Sequence, residues 1–118
     1  MKILKTFIPV IALLWITVLY SCEKKEVPNV TTSETSNISF NTATSGGTIN
    51  DEGSGTVTVR GIYWSKNLNP TTADDRTIEG GGAGSFISNL TQLDHGTTYY
   101  VKAYATNSAG TGYGMAMS

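Results

Sequence analysis

The chain has 118 residues, of which 14% are charged, and its formal net charge at pH 7 is −1. This length provides for one small domain and little more. The charges form no basic footprint, which argues against a nucleic-acid partner. Cys22 is the only cysteine, so the composition excludes a disulfide within the chain and a cysteine-rich metal site.

Residues 1–21 have the three parts of a secretory signal peptide. A basic head with two lysines comes first, an apolar stretch follows over about residues 7–20, and the small residue Ser21 ends the segment. The apolar stretch is shorter than the roughly 20 residues that a membrane span needs. The sequence therefore predicts an exported protein whose leader is removed.

The end of this leader, Leu19-Tyr20-Ser21-Cys22, resembles the bacterial lipobox. In that motif the cysteine thiol is diacylated, the leader is cut off before it, and the new amino terminus is acylated. Tyr20 departs from the small or branched residue that is usual at its position. The resemblance implies that Cys22 is a lipidation site whose acyl chains hold the protein on a membrane. A buried free cysteine is the alternative.

Removal of the leader leaves 97 residues with six basic and nine acidic side chains, a balance of −3. Residues 22–28 form a short charged tether that Pro28 closes. The charges after Cys22 loosely resemble a cell-surface export signal of some Gram-negative phyla, and a plain spacer is the alternative. We expect a lipid-anchored protein of the outer membrane, on either its periplasmic or its surface side.

Residues 29–118 are rich in Thr, Ser, Gly and Asn and show no long helical periodicity, which indicates strands and turns. Short alternating segments with turn signals between them predict an all-β fold, a sandwich of about seven strands. We predict strands at Val30–Ser33, Ser36–Phe40, Ala43–Ile49, Thr56–Ser65, Ser85–Leu90, Thr97–Thr106 and Gly112–Met117.

The connections carry further signals. Residues 50–55 contain several turn formers, so we expect the third and fourth strands to pair as an antiparallel hairpin. Residues 67–79 are a polar excursion between sheets, and residues 80–84 lack the Gly-Lys-Ser/Thr of a phosphate loop. Both faces of the fourth strand mix polar and apolar residues, so the face of Trp64 stays open, and a bulge at Gly61 is one solution.

The strand Thr97–Thr106 has the most specific pattern. Alternation along it separates two rows of side chains. The row that we predict to face the core is apolar or small and consists of Tyr99, Val101, Ala103 and Ala105. The row that we predict to face outward contains Tyr100, Lys102 and Tyr104.

Tyr99 follows Leu93 and a tight turn at Gly96. This arrangement matches the tyrosine corner of immunoglobulin-like sandwiches, in which the hydroxyl bonds to upstream backbone. The stretch resembles the end of a fibronectin type III domain, through Leu93, Gly96, Thr97, Tyr99, Val101, Ala105, Asn107 and Gly110. It is more similar still to the fibronectin-like modules that follow the lipobox in many Gram-negative outer-membrane lipoproteins.

This resemblance covers roughly residues 30–114 and implies a spacer, display or adhesion module without catalytic residues. Relatives usually continue into a further domain, so a fragment with a truncated last strand is an open alternative. We predict a non-enzymatic, monomeric module of the cell envelope. The alternatives are a glycan-binding lipoprotein of a polysaccharide-uptake system and the anchored stub of a larger enzyme.

Few residues suit catalysis or metal binding. His95, the only histidine, lies in the turn before the tyrosine strand, where a solvated turn residue is the simpler interpretation. The acidic pairs at residues 51–52 and 74–75 lie in loops without a calcium-loop spacing. We therefore predict no catalytic residue, no metal site and no cofactor.

The aromatic residues are the feature with the widest functional reach. Exposed aromatic rows stack on sugar rings or anchor protein partners, so a glycan or an envelope protein is the candidate partner. Cross-strand aromatic pairs also stabilise sheets without any ligand, and we favour that interpretation. The candidate ligand platform consists of Trp64, Tyr100, Tyr104 and Tyr113.

Overall fold

The computed structural model describes residues 25–118, so the leader and Cys22 lie outside the described residues. The described part is all-β, with seven strands in two antiparallel sheets, which confirms the predicted fold class. The strands are β1 (Asn29–Thr32), β2 (Ala43–Asp51), β3 (Val59–Ser65), β4 (Asp75–Arg76), β5 (Gly84–Leu90), β6 (Tyr100–Asn107) and β7 (Gly110–Tyr113). Within residues 25–118 there is no helix with the length and apolarity to cross a membrane.

The strand order is β1-β2-β5 in one sheet and β4-β3-β6-β7 in the other. β2 and β3 are consecutive in the chain but lie in different sheets, so the predicted hairpin between them is wrong. Residues 52–58 connect these two strands. Hairpin loops have roughly two to five residues, whereas this longer connection crosses from one sheet to the other.

The two sheets pack face to face around one apolar core, as in a small β-sandwich. Phe86 and Leu90 of β5 meet Ile62 of β3 there, and burying each such side chain contributes roughly 1.5–3 kcal/mol. The sheets approach closely, since a Cβ on Gly47 would lie 2.8 Å from the Cβ of Ala103. The predicted inward row of β6 is confirmed for its last three members, which are all buried: Val101, Ala103 and Ala105.

Three segments differ from the predicted strands. The last strand, predicted at Gly112–Met117, ends at Tyr113, and Met117 forms only an isolated bridge to Val101. In the range predicted as a strand at residues 36–40, Ser36 forms an isolated bridge to Thr44, while Ile38 and Phe40 are strongly exposed. Asn37 has a φ of 49°, which interrupts the extended backbone. Conversely, a short strand, β4, forms within the predicted polar excursion. Its two charged residues pair with β3 through the backbone at the edge of the sheet.

β3 shows why both of its faces looked mixed. It pairs with β6 in continuous register from Val59 to Ser65, so the bulge considered at Gly61 is wrong. Trp64 lies opposite Val101 and packs against the core, which places its side chain on the inner face. Arg60 shares that face but lies at the core margin, where its Nη1 donates to the Gly82 and Ala83 carbonyls at 3.1 and 3.0 Å.

The Tyr99 hydroxyl ties the loop before β6 to the strand. Its oxygen accepts a hydrogen bond of 2.8 Å from the backbone N–H of Asp94, and the ring is half-buried. The predicted contact between this hydroxyl and the backbone next to Leu93 is therefore present. It closes the loop that carries the chain from β5 in one sheet to β6 in the other.

Tyr99→Phe should lower the free energy of unfolding by about 1 kcal/mol, because it removes one hydrogen bond and keeps the ring. Urea denaturation measures the difference. Tyr100→Phe, the same change one residue further along, is the matched control and should cost less. Equal stability of the two variants would show that the Tyr99 hydroxyl does not hold this loop.

Candidate functional site

The four predicted platform residues do not lie together. Tyr104 pairs with Tyr113 across β6 and β7, and Tyr100 shares their face by alternation along β6. That face is the outer face of the four-stranded sheet. Trp64 lies on the inner face of the same sheet. A single flat platform of these four side chains is therefore not formed.

Tyr104 lies on the outer face but is buried, with 1% of its surface exposed. Its hydroxyl donates a hydrogen bond of 2.6 Å to the Thr77 carbonyl, and the Arg76 guanidinium lies 5.8 Å from its ring centroid. Burial raises the pKa of the Tyr104 hydroxyl. The prediction that Tyr104 is exposed is wrong, because the chain around β4 folds over the ring.

Tyr104 belongs to an aromatic cluster on the outer face. The Tyr63 ring lies 4.8 Å from Tyr104 and 6.4 Å from Tyr113 between centroids, tilted in both cases. The Lys102 ammonium lies 4.8 Å from the Tyr113 ring centroid. Such contacts are typical of cross-strand pairs that stabilise a sheet.

Tyr63 was not among the predicted platform residues. Gly61 is two residues before Tyr63 on the same face of β3 and lies opposite Tyr104. A Cβ at Gly61 would collide with the Thr77 carbonyl. The glycine therefore leaves room for the backbone that covers Tyr104.

A second feature is an open groove of about 600 Å³ at the end of the sandwich where β3 finishes. We call it the tip groove. Three separate parts of the chain line it: the end of β3, the short strand β4, and the loop from β5 to β6. The side chains used below are Trp64, Lys66, Asp75, Arg76, Gln92 and Asp94.

An ion pair stands at the rim of the tip groove. The Lys66 ammonium donates to the Asp94 carboxylate at 2.6 Å, and both side chains are exposed. This hydrogen bond lowers the pKa of Asp94 and raises that of Lys66. Exposed pairs contribute little to stability, so the pair mainly fixes the positions of two polar groups.

The opposite end of the sandwich holds the N-terminal segment. The Glu26 carbonyl accepts hydrogen bonds from the Ser54 N–H at 3.0 Å and from the Asn107 side-chain amide at 2.9 Å. Pro28 is buried, and a Cβ on Gly112 would collide with its carbonyl. Residues 26–28, which the sequence assigns to the tether, thus lie against the fold.

Asn107 joins three parts of this end and is 5% exposed. Besides Glu26, its amide nitrogen donates to the Glu52 carbonyl at 2.7 Å. Its oxygen accepts from the N–H groups of Ala109 and Gly110 at 2.8 and 3.2 Å. One side chain therefore holds the N-terminal segment, the β2–β3 connection and the β6–β7 turn together.

The remaining polar candidates have local partners. His95 stacks on Phe40 with ring centroids 4.6 Å apart. Asp51 accepts from the Gly53 N–H at 2.8 Å and Asp74 from the Thr71 N–H at 2.7 Å, as acids in turns do. The part of the chain that the structure describes contains no group of three or more potential metal ligands.

No known protein-family model and no curated protein matches the chain. The described residues form a small β-sandwich with its N-terminal segment held at one end and a polar groove at the other.

Proposed function

We propose that the protein is a lipid-anchored lipoprotein of the bacterial outer membrane, and that its β-sandwich is a non-enzymatic binding or spacer module. The lipobox-like sequence that ends at Cys22 supports the anchor. The attachment of Glu26 to the sandwich is the observation that carries the proposal furthest. It means that the fold begins almost at the acylated residue.

The distance from lipid to domain follows from the sequence. Three residues, Glu23, Lys24 and Lys25, separate Cys22 from Glu26. Even fully extended, this segment spans roughly 14 Å. The sandwich is therefore held close to the membrane surface and not on a long flexible linker. This suits a module that presents a surface at a fixed height.

The orientation of the module follows as well. Antiparallel pairing places the start of β3 beside the end of β6 near Asn107, and the end of β3 at the tip groove. At about 3.3 Å per residue, β3 separates these ends by roughly 20 Å. With Glu26 on the membrane side, the tip groove points away from the lipid.

The fibronectin-like character of the module is part of the proposal. Fibronectin type III domains share the architecture of two packed antiparallel sheets. The bond from the Asp94 N–H to the Tyr99 hydroxyl supports a tyrosine corner at the start of β6. Both features suit a module that functions through its surfaces.

Cys22→Ala should abolish incorporation of an alkyne-tagged fatty acid and leave a longer precursor that retains residues 1–21. The reason is that acylation needs the thiol and leader removal follows acylation. Expression of the full chain in a Gram-negative host, followed by in-gel detection and intact-mass measurement, tests both effects. Tyr20→Ala is the control and should keep full labelling. Undiminished labelling of Cys22→Ala would refute the lipoprotein proposal.

A further inference from the structure

We propose that the tip groove is a binding site for neutral carbohydrate. Binding at this site does not depend on acylation of Cys22, and only its orientation away from the membrane rests on the proposed anchoring. The volume of about 600 Å³ lies within the range of small-molecule sites, roughly 300–1,000 Å³. The convergence of three chain segments makes it a built concavity rather than a flat surface.

Trp64 supplies the apolar plane that a sugar ring needs. Its side chain packs against the core cluster and also lines the groove. Pairing of its backbone with Val101 and Asp75 on either side fixes its position within the sheet. A rigid aromatic face offers contact area at low entropic cost, which is how such rings engage the C–H faces of sugars.

The charges around Trp64 favour an uncharged ligand. Two cationic side chains, Lys66 and Arg76, line the groove together with the carboxylates of Asp74, Asp75 and Asp94, so charges of both signs are present, and Lys66 and Asp94 are paired with each other. An anion would meet the carboxylates, and a cation would meet the ammonium and guanidinium groups. A sugar hydroxyl both donates and accepts hydrogen bonds, so a polyhydroxylated neutral molecule can use groups of both signs.

Gln92 adds an independent observation. It lines the groove with a φ of 57°, in the left-handed region that residues other than glycine, asparagine and aspartate seldom adopt. Residues held in such conformations cluster at functional sites, and here the strained residue presents an amide that can donate to and accept from one sugar.

The direct test uses Trp64 as its own reporter. In the full chain carrying Trp15→Phe, Trp64 is the single tryptophan, whether or not the leader has been removed. The detergent-solubilised protein is titrated with neutral oligosaccharides (malto-, cello-, xylo- and mannohexaose) and with oligogalacturonate and heparin fragments as charged probes. We expect a saturable fluorescence change with at least one neutral oligosaccharide. No saturable change with any of them, or binding of charged probes alone, overturns the proposal.

Two variants locate the binding in the groove. Asp75→Asn exchanges a charge-assisted hydrogen bond for a neutral one and should weaken affinity about tenfold. Gln92→Gly removes the amide and relieves the backbone, so it should weaken binding by a similar factor while the thermal midpoint stays equal or rises. Asp51→Asn, the same change at the opposite end, should bind as the parent does. Unchanged affinity in both groove variants refutes the proposal.

The tests of anchoring and of sugar binding have separate outcomes. Protein carrying Cys22→Ala should bind the same oligosaccharide with unchanged affinity, because the groove lies at the far end of the sandwich. Loss of fatty-acid labelling with retained sugar binding supports both proposals. Retained labelling with retained sugar binding refutes the anchor alone, and a chain that is acylated but binds no neutral oligosaccharide refutes the groove alone.

Discussion

Tyr104→Ala should lower the free energy of unfolding by about 3–5 kcal/mol, the range for truncation of a large buried aromatic side chain. The ring is 1% exposed and packs against Tyr63 at 4.8 Å between centroids. Its loss also leaves the Thr77 carbonyl without the hydrogen bond that the hydroxyl donates. For a domain of this size, whose total stability is roughly 5–15 kcal/mol, the change removes a third or more of the stability over much of that range and unfolds the domain at its lower end.

Two further variants keep this prediction testable if Tyr104→Ala fails to fold. Tyr104→Phe retains the ring and should cost about 1 kcal/mol for the hydroxyl alone. Tyr113→Ala removes a neighbouring ring that is 43% exposed and should cost clearly less than Tyr104→Ala. Urea denaturation compares all three. A Tyr104→Ala protein as stable as Tyr113→Ala would show that Tyr104 is not buried in solution.

The contrast between Tyr104 and its strand neighbours shows what alternation predicts. It correctly separated the two faces of β6 and identified Val101, Ala103 and Ala105 as core residues. It gives no information on whether another segment covers the outer face. The covering segment around β4 has charged residues and no strand pattern, so the sequence predicted a polar excursion there.

For a similar reason, the local sequence signals could not predict which sheets β2 and β3 join. The turn formers at residues 50–55 correctly indicated a reversal of the chain, and Gly53 has a φ of 77°. Turn chemistry does not determine whether the next strand joins the same sheet or the opposite one. That choice depends on which faces must be buried, and Val57 enters the core before β3 begins.

Of the tip-groove residues named above, the sequence predicted only Trp64 as a candidate site residue. Its predicted partners on β6 and β7 lie on the other face of the sheet. Its actual neighbours in the groove are Asp75 from β4 and Gln92 from the loop before β6. These residues are far apart in sequence and belong to no motif, so only the folded chain brings them together.

Asn107→Ala should lower the free energy of unfolding by about 3 kcal/mol, because four hydrogen bonds end on this one nearly buried amide. Two of them are accepted by the carbonyls of Glu26 and Glu52, and two are donated by the N–H groups of the β6–β7 turn. The loss therefore loosens the N-terminal segment as well as the fold.

Asn107→Asp separates the two functions of the side chain. A carboxylate still accepts from the Ala109 and Gly110 N–H groups, but it cannot donate to the Glu26 carbonyl. The turn should then persist while the N-terminal segment detaches.

Trypsin cleavage after Lys25 measures detachment of the segment, and urea denaturation measures stability. We expect both Asn107 variants to be cleaved faster than the parent protein. At pH 4 and below, Asn107→Ala should be the less stable of the two, because protonation of the new carboxylate in Asn107→Asp reduces its repulsion with the Glu26 and Glu52 carbonyls. Asn89→Ala, an exposed asparagine on β5, is the control and should match the parent in both measurements. Parent-like cleavage of both Asn107 variants would show that Asn107 does not hold the segment, and the proposed fixed height of the domain above the membrane would then lose its structural basis.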